Sequence, residues 1–141
     1  DAYLAKYPKV AGYLKDIVAR AYEDGYVTTL LGRRRYIPEL SSGKKMLKAF
    51  GERVAMNSPI QGTAADIIKL AMINVDRALR DSKLDAKLIL QVHDELIVDS
   101  SRADAEAAKE ILQREMESAV KLSLPLTVST AVGENWYECK E

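Results

Sequence analysis

The chain has a single cysteine, Cys139, which excludes an internal disulfide or thiolate metal site and suits a reducing compartment. No apolar run approaches the roughly 20 residues of a membrane span, and no signal peptide is expected before the first helical pattern. Net charge is missing too, because 21 basic and 21 acidic side chains cancel. A neutral chain argues, on its face, against a nucleic-acid binder. The cancellation is uneven, however: residues 1–53 carry a net +5 and residues 54–141 a net −5. A basic half beside an acidic one fits a surface that grips phosphates next to one that collects cations. Ordinary charge scatter is the plainer alternative. Internal repeats and low-complexity segments are absent, and no Met stands before Asp1. The chain is therefore expected to be a piece of something longer.

What is present is enough for a core: 141 residues, 48% of them hydrophobic, the size of one ordinary domain. The central stretch is Leu88–Asp99, in which aliphatic runs at Leu88–Val92 and Leu96–Val98 flank His93, Asp94 and Glu95. Short β-rich runs split by polar residues predict a tight hairpin. Its tip would carry the neighbouring carboxylates of Asp94 and Glu95, a repulsive pair unless a cation sits there. Hard oxygen ligands of this kind suit magnesium or manganese, which phosphoryl transfer uses in pairs. A solvated β-turn that happens to carry Asp and Glu is the alternative.

Before the hairpin, Pro8 can open a helix carrying Val10, Tyr13, Leu14, Ile17 and Ala21 at helical spacing, and Gly25 is placed to end it. Tyr26–Leu30 and Arg33–Ile37 read as paired strands around Gly32, with Ser41–Lys45 as a flexible basic loop. Arg33, Arg34 and Arg35 cannot all face one side of a strand. Their guanidinium groups suit a phosphate backbone, or else guard a solvated edge. Helical pattern resumes over Glu52–Ser58 and Ala64–Leu79, and Pro59 with Gly62 predicts a kink or two abutting helices. Arg53, Asn57 and Gln61 fall at i, i+4 and i+8. Such a row can reach minor-groove acceptors common to every base pair, although polar rows at this spacing are often only a solvated face.

After the hairpin, Ser100 and Ser101 are candidate caps for a helix with Ala105, Ala108, Ile111, Leu112, Met116 and Ala119 on one stripe. Leu124–Val132 alternates and is expected to pair with the hairpin as a strand. The fold class expected is α+β, an antiparallel sheet packed on helices.

Several of these stretches also resemble a known family. Gln91-Val92-His93-Asp94-Glu95 resembles the C-terminal palm signature of family A DNA polymerases, the bacterial DNA polymerase I type. Gly32–Pro38, Glu52–Asp66 and the ending Gly133–Tyr137 resemble further segments of that family, in order along nearly the whole chain. Glu95 favours DNA synthesis, because related single-subunit RNA polymerases usually have another residue after the His-Asp pair.

The resemblance implies a fragment of a right-hand polymerase, with residues 1–50 on the fingers side and residues 51–141 in the C-terminal palm. It implies that Asp94 binds catalytic Mg2+ ions together with an Asp outside this chain. Glu95 would support the site, His93 would sit near the primer terminus, and the helix bearing Arg53, Asn57 and Gln61 would cross the primer–template duplex. Implied partners are primer–template DNA, deoxynucleoside triphosphates and the N-terminal remainder of the polymerase, in a bacterial, nucleoid-associated cytoplasmic setting. The earlier palm Asp and the fingers helix with its Arg and Lys lie outside these residues, so the fragment alone is expected to be inactive. A non-catalytic DNA-binding or scaffold module of the same shape is the competing expectation.

Overall fold

The computed structural model describes residues 5–140. Its order is helix α1 (Pro8–Asp24), strands β1 (Tyr26–Thr28) and β2 (Arg34–Tyr36), a 3-10 turn at Pro38–Ser41 and helix α2 (Lys45–Ser82). Strands β3 (Ala86–Val92) and β4 (Glu95–Ser100) and helix α3 (Ala105–Glu117) follow. The α+β class holds, with two separate two-stranded antiparallel sheets among the described residues. The chain divides into two compact units, Asp1–Ala64 and Ala65–Glu141.

In the first unit α1 begins as its sequence predicts, with Pro8 in its first turn, where a missing N–H costs no helical bond. It stops at Gly25, whose φ of 75° is the left-handed cap conformation, and the Gly25 N–H donates to the Ala21 carbonyl. The β1–β2 hairpin registers Tyr26 opposite Tyr36 and Thr28 opposite Arg34. Both strands are shorter than the sequence pattern suggested. Leu30 and Arg33 fall in the connection, where Gly32 adopts a φ of 84°. Ala21, Val27, Ile37, Leu40 and Ala55 form the buried cluster of this unit.

Two expectations around α2 are narrowed. The basic loop at Ser41–Lys45 gives way early, because the helix starts at Lys45. Of the two arrangements expected at Pro59, two abutting helices do not form: α2 is one helix of 38 residues with Pro59 inside it. A proline removes one backbone donor and crowds the preceding turn. Here Pro59 is buried, on the stripe of Gly51 and Ala55, and the Thr63 hydroxyl adds a hydrogen bond to its carbonyl at 2.6 Å.

In the second unit Ile68, Ala71, Val75 and Leu79 of α2 meet Ala86 and Leu96 of the hairpin and Ala108 and Ile111 of α3. The β3–β4 register runs from Ala86 opposite Ser100 to Val92 opposite Glu95, with an irregularity between Leu88 and Leu90 that leaves Ile89 as the extra residue. Ser101 is not the helix cap; Asp104 is the N-cap. The Ser101 hydroxyl instead closes the turn before it, accepting from the Asp104 N–H at 3.3 Å and donating to its carboxylate at 2.9 Å.

The strand expected over Leu124–Val132 does not form. Its alternation of exposure persists from residue 125 to 130, but the ladder is missing. Pro125 has no N–H to donate, and the Val128 N–H is taken by the Glu117 carboxylate at 3.0 Å. A groove of about 1190 Å³ separates residues 127–135 from β4. No helix among the described residues is long and apolar enough to cross a membrane.

Candidate functional site

The hairpin tip is tighter than the sequence suggested. Val92 and Glu95 already pair, so the loop is only His93 and Asp94. His93 takes a φ of 53°, the positive value that a two-residue hairpin loop demands at its first position. The Gln91 side-chain amide donates to the His93 carbonyl and braces the turn. His93, Asp94 and Glu95 are all exposed. Asp94 thus stands in the loop itself, whereas Glu95 begins β4 with its direction fixed by the ladder.

The two carboxylates differ in partners. Glu95 Oε2 lies 3.6 Å from the Lys140 ammonium, and that ammonium also sits 4.6 Å from the centre of the Trp136 ring. Part of the repulsion expected between Asp94 and Glu95 is therefore met by a lysine of the chain itself. Among the described residues no group of three or more His, Cys, Asp or Glu side chains could hold a metal ion. An exposed carboxylate on a rigid turn nevertheless fits a hard divalent cation as one ligand of a set completed elsewhere.

The first unit carries the row on α2. Arg53, Asn57 and Gln61 are exposed, while Gly51, Ala55 and Pro59 are buried. Two residues of helix turn the direction by about 200°, so the row and the buried stripe occupy opposite faces. The structure brings all three polar residues to one open surface. The Arg53 guanidinium lies 5.9 Å from the centre of the Phe50 ring, which restricts where it can point.

The three arginines of the hairpin separate, as a strand requires. Arg34 packs over Tyr26 at 4.6 Å, and Tyr26 meets Tyr36 edge-on at 5.5 Å between ring centres. A hydrogen bond with the Tyr36 side chain and the nearby phenols hold the Arg34 pKa above its usual value. Arg35 stands opposite Val27 in the ladder. Arg33, in the connection, donates from Nη2 to the Gly62 carbonyl at 3.1 Å.

Several of these partners were not found in the sequence. Phe50 and Arg53 are three apart and Pro59 and Thr63 four apart, both helical-neighbour spacings that could have been noticed. Lys140 and Glu95, or Arg33 and Gly62, are joined only by the fold, and no local pattern announces them.

The family model described as DNA polymerase family A matches residues 1–138. The DNA polymerase I of Caldicellulosiruptor bescii is 50% identical over 140 residues, covering 99% of this chain and 16% of that protein. The DNA polymerase I of Bacillus subtilis is 48% identical over the same length, again 99% of this chain and 16% of the relative. The chain thus spans about 16% of the length of these relatives. Among solved structures, the POL domain of Pol1 from M. smegmatis, in complex with DNA primer-template and dNTP, superposes with a TM-score of 0.95. It is 44% identical, and the match covers 99% of this chain and 24% of that one.

Proposed function

This chain belongs to DNA polymerase family A, and from that premise we propose that it forms the C-terminal part of the fingers and palm of a DNA-directed DNA polymerase. The reaction is template-directed: the primer 3′-hydroxyl attacks the α-phosphorus of a deoxynucleoside triphosphate, a new P–O bond forms and pyrophosphate leaves. The observation that carries the reading is the exposed Asp94 on a two-residue turn fixed by the β3–β4 ladder. Asp94 serves as one ligand of the catalytic Mg2+ pair, with an Asp of the remaining polymerase as the other protein anchor. When bound, the metals supply charge stabilisation at the transferring phosphoryl group.

Glu95 supports this turn through the start of β4, and His93 faces the primer terminus. Arg53, Asn57 and Gln61 lie along the minor groove of the primer–template duplex, where donors can meet acceptors that every base pair presents. Arg33, Arg34 and Arg35 serve the phosphate backbone. Residues 1–50 belong to the fingers side and residues 51–141 to the palm, with the N-terminal remainder of the polymerase as the obligatory partner. The setting is the bacterial cytoplasm, on nucleoid DNA.

The test is Asp94→Ala in the intact polymerase. Extension should fall by at least about 10²–10³-fold, the scale on which removing one preorganised charge-stabilising group acts, while primer–template affinity is kept. Near-normal extension by this variant would sink the assignment.

A further inference from the structure

Within the first unit, the turn joining β1 to β2 is seated on α2 at the level of Gln61. The Leu30 N–H donates to the Thr63 hydroxyl oxygen at 2.9 Å. That hydroxyl in turn donates to the Pro59 carbonyl at 2.6 Å, and Arg33 donates to the Gly62 carbonyl at 3.1 Å. The turn is itself braced, because the Arg33 N–H donates to the Thr29 hydroxyl at 3.1 Å and the Thr29 N–H donates to the Arg33 carbonyl at 2.9 Å. Contact is closest at Gly62, where a Cβ would stand 2.6 Å from Thr29 Cγ2. Real Cβ atoms do not approach that closely, so the absent side chain is what lets the turn sit down.

A glycine inside a helix costs about 1 kcal/mol relative to alanine, and a proline inside one costs more. Here both occur within four residues, with Gln61 between them. The backbone that aims Gln61 is therefore intrinsically weak at this level and is held from outside by the turn. Phe50 is the ring contact that restrains Arg53, but it lies more than two turns away along the helix. It cannot set the height or rotation of Gln61.

We propose that Thr29, Arg33, Gly62 and Thr63 form a positioning junction that sets the placement of Gln61 against the base pair at the primer end. This rests on the reading of the Arg53–Asn57–Gln61 row as a minor-groove tracker. None of the four needs to touch DNA for this role. They act through the helix, and what they govern is the penalty for extending a mismatched primer end.

The experiment uses the intact polymerase and compares kcat/KM for extension from matched and mismatched termini. Gly62→Ala should lower mismatched extension more than matched extension, chiefly in kcat, by on the order of tenfold or more, since a misplacement near 1 Å can cost about 10²-fold. Adding Thr29→Ser should restore the ratio, because serine lacks the obstructing methyl yet keeps a hydroxyl for the Arg33 N–H. If Gly62→Ala does not fold, Thr63→Val, which loses both hydroxyl contacts, is read against Thr63→Ser, which keeps them. A wild-type ratio in Gly62→Ala, or in Thr63→Val where that variant replaces it, overturns the junction, as does a loss that Thr29→Ser or Thr63→Ser fails to recover. Gln61→Ala is measured beside them. If it leaves the ratio unchanged, the minor-groove reading fails and the junction falls with it; if it shifts the ratio while a folded junction variant does not, only the junction fails.

Discussion

The Lys140 ammonium stands 3.6 Å from the Glu95 carboxylate, which ties the end of the chain to the first residue of β4. Both side chains are about half exposed, so the pair belongs to the class worth roughly 0–1 kcal/mol. The stacking of Lys140 on Trp136 adds about 0.5–1 kcal/mol at such a surface. Lys140→Ala should therefore lower the melting temperature slightly at low salt. The difference should shrink at high salt, where the pair is screened but the apolar part of the Trp136 contact is not. Melting curves of both proteins at two ionic strengths check this, and a large, salt-independent drop would contradict it.

Glu117 makes the segment after α3 sensitive to pH. The hydrogen bond from the Val128 backbone, and after it the one from the Gln113 side chain, hold its carboxyl below the usual carboxylate range. A carboxylate with a depressed folded-state pKa adds stability above its unfolded value and loses it as pH falls through the folded one. The stability it adds should thus be complete above the ordinary carboxylate value, about pH 4.3, and be lost as pH falls from there through the lower folded value. Hydrogen exchange at the Val128 amide should accelerate in Glu117→Gln at neutral pH relative to the wild type. Equal protection in the two proteins would remove the carboxylate from the account.

Where sequence reading succeeded, the signal was local. Pro8 and Gly25 mark the ends of α1 because the first turn tolerates a missing N–H and the last needs a positive φ. The hairpin at His93-Asp94 is legible because polar residues between short aliphatic runs leave few other conformations. The row on α2 is legible because spacing alone fixes which residues share a face. Pro59 left two arrangements open because its effect on a helix depends on what the flanking turns are packed against, which no local pattern reveals. Leu124–Val132 has the alternation of a strand, yet a strand also needs a neighbour with matching backbone groups. In this chain Glu117 takes the Val128 N–H instead.

The polar row separates into two kinds of contact by chemistry. Arg53 carries a full charge, whereas Asn57 and Gln61 are neutral donors and acceptors. Arg53→Ala should weaken extension and, because it removes a full charge from beside the duplex, reduce the slope of log affinity against log salt by about 1. Gln61→Ala should leave that slope unchanged while weakening extension, most of all past a mismatch, with little dependence on sequence. Filter-binding titrations across a salt series, run beside primer extension, distinguish the two. If both variants bind and extend like the wild type, the row is an ordinary solvated face.

The chain by itself should polymerise nothing. Two-metal catalysis holds its cations about 3.5–4 Å apart, and the repulsion between them calls for carboxylates from more than one segment. Here Asp94 is the exposed carboxylate of the turn, and Glu95 is already engaged by Lys140. The hairpin is also a two-stranded sheet, and Ile89 and Leu90 of β3 are 59% and 47% exposed. Apolar side chains on so narrow a sheet call for a neighbour, and a strand edge left open invites association. Primer extension with magnesium should give no product from this chain alone, and size-exclusion chromatography should show it self-associating. Mixing with the N-terminal remainder of the polymerase should restore extension if the two pieces share one active site. Product from the chain alone would mean that the metal pair is held in some other way than through Asp94 and a carboxylate supplied from outside.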